Sequence, residues 1–217
     1  MNDIIIQNLK TSGVKEIGFS RIDNMPLKNA VSIVIPLSKF VIGGITDKPT
    51  FEYFHHYRTV NAYIDNTLLK CGLEIASFGY DYQCVAASQS TGGYKSYFPH
   101  KTAARLAGLG WIGKNGLFIS EKYGPAVRLG TILTNMPLRV NEKPAIPSKC
   151  ADCNICVSAC PAMAISGEEW SDNEPEKMII DPKACSDYMK KHFQKMGRGV
   201  VCGICIVKCR MNTNNMG

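Results

Sequence analysis

The stretch that decides the fold of the carboxyl-terminal part of the chain is Cys150-Ala-Asp-Cys153-Asn-Ile-Cys156-Val-Ser-Ala-Cys160-Pro161. Its cysteines follow the spacing C-x2-C-x2-C-x3-C-P, which is typical of bacterial proteins that bind two [4Fe–4S] clusters. In such a run the first three thiolates bind one cluster, and the fourth points toward the other cluster. The stretch therefore predicts that further cysteines elsewhere in the chain complete both clusters.

A second cysteine run lies near the end of the chain and supplies these ligands. It lacks a first cysteine, because Gly199 stands three residues before Cys202, and Cys185 is the nearby thiol that can take the vacant place. The chain then has eight thiols, which is the number that two clusters with four cysteine ligands each require. We predict one cluster on Cys150, Cys153, Cys156 and Cys209, and the other on Cys160, Cys185, Cys202 and Cys205.

Structural zinc is the alternative ligand for these cysteines, since C-x2-C pairs also bind zinc. Zinc sites rarely place three cysteines in succession at this spacing and then add Cys-Pro, so the run favours clusters. The two remaining cysteines, Cys71 and Cys84, fall in a predicted helix and a predicted strand. We expect both to be apolar core residues.

The composition indicates the cellular compartment of the protein and restricts the kinds of partner that it can bind. Ten cysteines at cluster spacing indicate reduced thiols in a cytoplasm and no disulfide framework. No segment approaches the ~18 apolar residues of a membrane span, and the first residues do not form a signal peptide. The formal net charge of +7 would fall to about +3 with two oxidised clusters bound, which is weak support for a polyanionic partner.

The spacing of apolar residues predicts an α+β domain ahead of the cysteine runs. The cysteine runs need about 70 residues, so we predict domains at residues 1–145 and 146–217 of the 217-residue chain. Helices are expected over Ile4–Thr11, from Thr50 to about Gly72, and from Pro99 to Leu106. Strands are expected over Val14–Phe19, Ala30–Leu37 and Tyr82–Ser88, with a hairpin of Leu117–Ser120 and Ala126–Thr134. Ala164-Ile165 and Met178–Ile180 should form a small hairpin within the cysteine-rich domain.

A glycine-rich stretch from Gly108 to Gly116 contains four glycines in nine residues. Such a density predicts either a close approach of another group to the backbone or repeated positive φ angles. The stretch matches neither the phosphate-binding loop nor the dinucleotide fingerprint. A tight connection between a helix and a strand is the alternative.

Arg105-Leu-Ala-Gly-Leu-Gly-Trp-Ile-Gly-Lys-Asn115, followed by the two cysteine runs, resembles the epoxyqueuosine reductases. These are cobalamin-dependent enzymes of tRNA modification that are related to the reductive dehalogenases, and the resemblance extends from about Ala30 to Cys209. It implies a nitroreductase-like α/β sandwich domain followed by a bacterial ferredoxin-like domain with two [4Fe–4S] clusters. It also implies corrinoid (cobalamin) binding by Arg105, Gly108, Gly110, Trp111, Ile112, Gly113, Lys114 and Asn115.

Three departures from the family pattern bear on the substrate. The family's catalytic Asp, seventeen residues before the Trp, is replaced here by Tyr94, which becomes the candidate general acid because reductive dehalogenases use a Tyr as proton donor. Cys209 is followed by Arg210 where the family has Pro. The sequence ends at Gly217, before the helical-repeat domain that helps the family to bind tRNA. A tRNA partner is therefore doubtful, and a small substrate is expected.

Taken together, these features predict a cytoplasmic iron–sulfur reductase without a membrane partner. An external low-potential donor of the ferredoxin or flavodoxin type would supply electrons through the clusters to the corrinoid, for reduction of a polar carbon–oxygen or carbon–halogen group. Three alternatives stay open at this point. The chain could be a ferredoxin-type electron-transfer protein with a docking domain, a flavin enzyme built on the same sheet, or a genuine tRNA epoxyqueuosine reductase.

Overall fold

The computed structural model describes residues 2–88, 91–142, 144–172, 179–194 and 199–212, which form two compact units. The first unit, called here the sheet unit, consists of Met1–Pro36, Thr59–Gly110 and Arg128–Ile146. The second, called here the thiol unit, consists of Leu37–Arg58, Trp111–Val127 and Pro147–Gly217. The functional domains at residues 1–145 and 146–217 stay a prediction.

The described residues form helices and strands in mixed order, which confirms the α+β class. The helices are α1 (Asn2–Thr11), α2 (Lys39–Gly43), α3 (Phe51–Ser77), α4 (His100–Leu106), α5 (Ile155–Ala159), α6 (Pro182–Phe193) and α7 (Ile204–Val207). The strands are β1 (Glu16–Arg21), β2 (Asn29–Pro36), β3 (Tyr82–Val85), β4 (Gly110–Ile112), β5 (Phe118–Ser120) and β6 (Val127–Thr134). Among the described helices, none is long and apolar enough to span a bilayer.

The sheet unit is built on a four-stranded sheet with the strand order β1-β2-β6-β3. β1 and β2 are antiparallel with Gly18 opposite Ser32, and β3 and β6 are antiparallel with Val85 opposite Thr131. The apolar run predicted for β2 is buried along nearly all of its length, as expected for a strand that is covered on both faces.

Helices cover both faces of this sheet. On one face α3 packs directly on β6, because a Cβ added at Gly130 would lie 2.6 Å from Cγ2 of Ile64 and 3.1 Å from Cδ1 of Leu68. On the other face Ala103 of α4 packs in one apolar cluster with Ala30 of β2 and Leu133 of β6. Burial of these apolar side chains, at roughly 25 cal/mol per Å² of apolar surface, is the main stabilising contribution to the sandwich.

The long helix α3 begins where the sequence predicts and ends later than predicted. Thr50 caps it, since the Tyr53 backbone N–H donates to Thr50 Oγ1 at 3.1 Å. The helix continues past Gly72 to Ser77, because a glycine inside a well-packed helix costs only about 1 kcal/mol. Gly72 permits close packing on Tyr82, whose Cδ2 would lie 2.3 Å from an added Cβ.

The predicted hairpin of Leu117–Ser120 with Ala126–Thr134 is wrong. β5 pairs with β4 in a separate two-stranded sheet, whereas β6 lies between β2 and β3 and has no free edge for it. A local turn ends β5: Ser120 and Gly124 exchange backbone hydrogen bonds of 2.9 Å, and Ser120 Oγ accepts from the Lys122 and Tyr123 amides. This turn closes within five residues, so it does not extend into a ladder.

The thiol unit contains the small hairpin that the sequence predicts beside the cysteine runs. Ile165 and Ile180 form an antiparallel bridge, and the Asp181 amide donates to the Ala164 carbonyl at 2.8 Å. Met178, which belonged to the same prediction, lies outside the described residues. Asp181 then caps α6 by accepting from the Ala184 amide at 2.9 Å, which fixes the helix that carries Cys185.

Candidate metal centre

The first cysteine run folds into a tight turn followed by a short helix. Ala151 has a φ of 46°, and the Cys153 amide donates to the Cys150 carbonyl at 3.0 Å, which closes the turn between these two thiols. Cys156 lies on α5. The helix ends at Cys160, whose extended backbone is the conformation that a following proline, here Pro161, requires. The fourth thiol of the run is therefore separated from the helical part.

The second cysteine run is arranged around α7, which packs against α5. Cys205 lies on this helix, while Cys202 precedes it and Cys209 follows it. Gly203 at the start of the helix has a φ of 81°, and an added Cβ would lie 2.8 Å from Cδ1 of Ile45. A side chain at this position would be both strained and crowded.

The first predicted ligand set comes together in the structure. Burial and, to a smaller extent, the neighbouring thiols of Cys150, Cys156 and Cys153 together raise the pKa of Cys209 to about 11. Burial likewise raises the pKa of Cys156, with added effects of Cys150 and Cys153. Cys150 and Cys153 thus lie close enough to Cys156 and Cys209 to influence the ionisation of those two thiols.

The second predicted ligand set also comes together. Burial and, to a smaller extent, the thiols of Cys202 and Cys160 together raise the pKa of Cys185 to about 11. Burial is also the main cause of the raised pKa of Cys205, followed by Cys202, Cys185, Cys160 and finally Cys156. Since Cys156 belongs to the first set, the two sets are neighbours within the thiol unit.

A cavity lies among the four thiols of the first set. The space, including its opening to solvent, is about 320 Å³. Its wall is formed by Lys114, Asn115, Ile119, Cys150, Cys153, Ile155, Cys156, Cys209, Arg210 and Met211. In the described part of the chain, no group of three or more His, Cys, Asp or Glu side chains is arranged to hold a single metal ion.

Two residues of the glycine-rich stretch, Lys114 and Asn115, contribute to the wall of this cavity. Asn115 is 2% exposed; its Nδ2 donates to the Cys205 carbonyl at 3.3 Å, and its Oδ1 accepts from the Leu117 amide at 3.1 Å. Lys114 is 8% exposed, and its Nζ donates to Asn154 Oδ1 at 3.4 Å. The stretch is therefore connected to both cysteine runs.

The other residues of the stretch that belong to the thiol unit are buried as well. Trp111 is 4% exposed and Ile112 is 3% exposed, both on β4. Trp111 Nε1 has no hydrogen-bond partner among the described residues, although Lys149 Nζ lies 5.3 Å from the centre of its ring. A Cβ added at Gly113 would lie 2.5 Å from Cδ1 of Ile119, so this glycine makes room for the chain's own side chain.

The remaining predicted site residues lie in the sheet unit. Arg105 is in the last turn of α4, and Gly110 begins β4. Gly108 has a φ of 72°, and an added Cβ would lie 3.0 Å from Nδ2 of Asn141. Tyr94 is half-exposed in a turn and has a φ of 62°, a conformation that tyrosine rarely adopts.

The two cysteines outside the predicted sets lie in the sheet unit and are partly or fully buried, in line with the expected core role. Cys71 on α3 is 4% exposed, and burial raises its pKa to about 12. Cys84 on β3 is half-buried, and burial raises its pKa to about 11.

Sequence reasoning missed two residues that line or support the cavity. Arg210, which stands where the resemblance leads one to expect Pro, donates from Nη2 to the Lys149 carbonyl at 2.9 Å and so links the two cysteine runs. Asn154 lies within the first run and holds Lys114. The spacers of a cysteine run carry no spacing signal of their own, so tertiary structure was needed to find both residues.

Comparison with known proteins supports the resemblance seen in the sequence. No protein-family model matches the chain. An epoxyqueuosine reductase from Gloeobacter violaceus is 40% identical over 88 residues, which are 41% of this chain and 24% of that protein. A tetrachloroethene reductive dehalogenase from Desulfitobacterium hafniense is 32% identical over 120 residues, which are 49% of this chain and 21% of that protein.

Two solved structures show that the similarity of fold extends over most of the chain. A reductive dehalogenase whose structure suggests a mechanism for B12-dependent dehalogenation matches with a TM-score of 0.76 and 18% identity, over 94% of this chain and 30% of that chain. Epoxyqueuosine reductase with an epoxyqueuosine-modified tRNA-Tyr stem loop matches with a TM-score of 0.65 and 17% identity, over 97% of this chain and 65% of that chain.

The chain spans only part of the relatives that it matches, between 21% and 30% of the length of the proteins similar to it in sequence. Within that span the similarity includes both epoxyqueuosine reductases and reductive dehalogenases. The chain is therefore epoxyqueuosine reductase-like in sequence, and it has the fold that these enzymes share with the reductive dehalogenases.

Proposed function

We propose that the protein is a reductase whose eight clustered cysteines hold two [4Fe–4S] clusters and whose glycine-rich stretch contributes to a corrinoid site. The observation that carries the proposal is the arrangement of the thiols: the two predicted sets of four are each gathered together, and Cys156 and Cys205 connect them. Its relatives are named as reductases, which supports the same reaction class.

The donor set fits iron–sulfur clusters in both chemistry and layout. All eight donors are thiols, which are the usual ligands of [4Fe–4S] clusters. A cluster spreads its four irons over the corners of a cube, so its ligands surround a space and need not converge on one point. The cavity lined by Cys150, Cys153, Cys156 and Cys209 has this layout. A single zinc ion would instead require four sulfurs at about 2.3 Å from one centre.

The protein itself would hold the cysteine ligands in place, exclude water from them and keep the two sets of four thiols close together. When bound, [4Fe–4S] clusters supply one-electron transfer over potentials of roughly −700 to +450 mV, and a corrinoid supplies reductive chemistry at a polar carbon bond. Burial of Cys205 and Cys209 limits water at the ligands. We propose an external low-potential donor of the ferredoxin or flavodoxin type as the source of electrons.

The corrinoid part of the proposal is supported by one feature of the chain and by the relatives. Trp111 Nε1 is a buried donor without a partner in the described part, and a bound group that presents an acceptor would satisfy it. A structural neighbour is described as acting in B12-dependent dehalogenation. The glycines at 108 and 113 accommodate Asn141 and Ile119, so they do not by themselves indicate a bound macrocycle.

Tyr94 is the residue that we propose as proton donor to the substrate. Its φ of 62° places the tyrosine in a conformation that costs roughly 1–2 kcal/mol, and such strain is concentrated at functional sites. The phenol is half-exposed and can reach a substrate in solution. We propose a small substrate with a polar carbon–oxygen or carbon–halogen bond.

A tRNA substrate is the second candidate, because one structural neighbour is bound to an epoxyqueuosine-modified tRNA stem loop. Affinity for tRNA depends largely on contacts of Lys and Arg with phosphates. The Lys and Arg residues of this chain are scattered along the sequence, and its net charge with clusters would be about +3. These features favour the small substrate.

The first prediction concerns the ligand sets. Cys185→Ser should remove one cluster, so that anaerobically prepared protein keeps about half of the iron and sulfide of the wild type. Cys71→Ser is the matched control and should keep all of it, since Cys71 lies outside the thiol unit. Equal metal content in Cys185→Ser and the wild type would show that Cys185 is not a ligand.

The second prediction concerns the corrinoid. Trp111→Phe removes the buried donor while keeping an aromatic ring, so cobalamin should bind about tenfold more weakly. Binding is measured by the change in the cobalamin spectrum during anaerobic titration, and both clusters should assemble normally. The chain's second tryptophan, Trp170, is partly exposed and does not belong to the predicted corrinoid residues, so Trp170→Phe is the control and should bind cobalamin like the wild type. A wild-type protein that takes up flavin and no cobalamin contradicts the corrinoid assignment.

The third prediction concerns the proton donor. Tyr94→Phe should lower turnover by roughly 10²–10⁴-fold while cobalamin and cluster contents stay unchanged, because only the hydroxyl is lost. Tyr97 is half-exposed in the same segment, so Tyr97→Phe is a matched control that should retain activity.

A measurement of turnover also decides between the two substrate classes, a small molecule and a tRNA. The reduced holoenzyme receives epoxyqueuosine nucleoside in one reaction and an epoxyqueuosine-modified tRNA stem loop in another. We expect conversion of the small substrate. Efficient conversion of the stem loop alone would refute this part of the proposal and establish the tRNA reaction.

A further inference from the structure

Lys114 is a buried cation in the wall of the cavity that the first four thiols line. Its side chain is only 8% exposed, although lysine is almost never fully buried unless its charge is paired. The residue lies on the glycine-rich stretch, whereas the thiols of Cys150 and Cys209 around the same cavity come from the two cysteine runs. Three separate segments of the chain therefore meet at this cavity, and the glycine-rich stretch brings a positive charge to it.

The protein itself supplies little compensation for this charge. The one polar partner of Lys114 within the described residues is the neutral amide oxygen of Asn154, at 3.4 Å, and no carboxylate is paired with Lys114 there. Asn154 is at the N-terminus of α5, yet it does not cap the helix and accepts from Lys114 instead. Removing an ammonium from water is expensive unless an anion or several hydrogen bonds replace the water.

The backbone around Lys114 is held firmly in place. The Gly116 amide donates to the Gly113 carbonyl at 2.8 Å, which closes a tight turn around Lys114. Asn115, the next residue, is hydrogen-bonded to the Cys205 carbonyl. These contacts fix the backbone of Lys114 at the wall of the cavity, and the hydrogen bond to Asn154 orients its side chain there.

We infer that Lys114 is a charge-compensating residue for the cluster on Cys150, Cys153, Cys156 and Cys209, and that it raises the reduction potential of this cluster. The inference rests on the proposed function, since it requires the cluster. An oxidised cluster with its four thiolates carries two negative charges, and one-electron reduction makes three. A fixed ammonium nearby stabilises the more negative state more strongly, particularly where water is excluded.

The redox step involves one electron and no proton. The reductant, dithionite in the test below, loses one electron and the cluster gains it. The chemistry of Lys114 does not change, because the residue acts only through its charge. A consequence is that the two neighbouring clusters differ in potential.

The test is a redox titration of anaerobically reconstituted protein with dithionite, followed by EPR. Measurements are made in a Cys185→Ser background, which should retain only the cluster next to Lys114. Lys114→Met should shift the reduction equilibrium of that cluster toward the oxidised state by on the order of tenfold, which is 59 mV for a one-electron couple. Lys114→Arg should retain the wild-type potential because it retains the charge.

Two controls separate this electrostatic role from a structural one. Lys122→Met removes a surface lysine of the same unit and should leave the potential unchanged. If Lys114→Met does not assemble the cluster, Lys114→Gln, which keeps a hydrogen-bonding side chain, is measured in its place.

An unchanged potential in the neutral variant, or an upward shift, overturns the inference. An unchanged potential combined with weaker cobalamin binding would instead assign Lys114 to the corrinoid. Iron and sulfide analysis of the same samples distinguishes failure of this inference from failure of the proposed function. A wild-type protein without clusters contradicts the proposed function, whereas a protein with clusters and an unchanged potential contradicts only the role of Lys114.

Discussion

The gathering of eight cysteine thiols within one unit is the constraint on which the rest of the structure depends. Their closeness is seen at Cys205 and Cys209, whose pKa values are raised by burial and by neighbouring thiols. Burial, together with the neighbouring thiols, raises the pKa of Cys209 to about 11, so this thiol is protonated near neutral pH in the chain without metal. Metal binding requires the deprotonated thiolates, so assembly of the clusters, release of protons and folding of this region are expected to be coupled.

Local backbone conformations and a few long-range hydrogen bonds position the thiols. Pro161 forces Cys160 into an extended conformation, and the turn at Ala151 brings Cys150 and Cys153 together. Arg210 links the second run to the first, and Asn115 links the glycine-rich stretch to the second run. The glycine-rich stretch is thus part of the structure around the ligands, whether or not it also contacts a second cofactor.

The grouping of the cysteines into two neighbouring sets could be predicted from the sequence because cluster geometry constrains cysteine spacing over a few residues. Their role as cluster ligands stays a prediction. The α+β class and the start of α3 at Thr50 were likewise encoded locally, in apolar periodicity and in a capping side chain. The predicted hairpin failed because strand pairing is a long-range choice: β2 and β3 occupy both edges of β6. The place of Lys114 beside the thiols was equally invisible, since a lysine in a loop carries no sequence signal for burial.

The central claim is that the eight thiols hold two [4Fe–4S] clusters. Native mass spectrometry of anaerobically prepared protein tests it most directly, because intact clusters remain bound and are weighed with the chain. The account predicts a mass gain equal to two units of four irons and four sulfides each. A gain equal to zinc ions, or to a single four-iron unit in fully reconstituted protein, would contradict it.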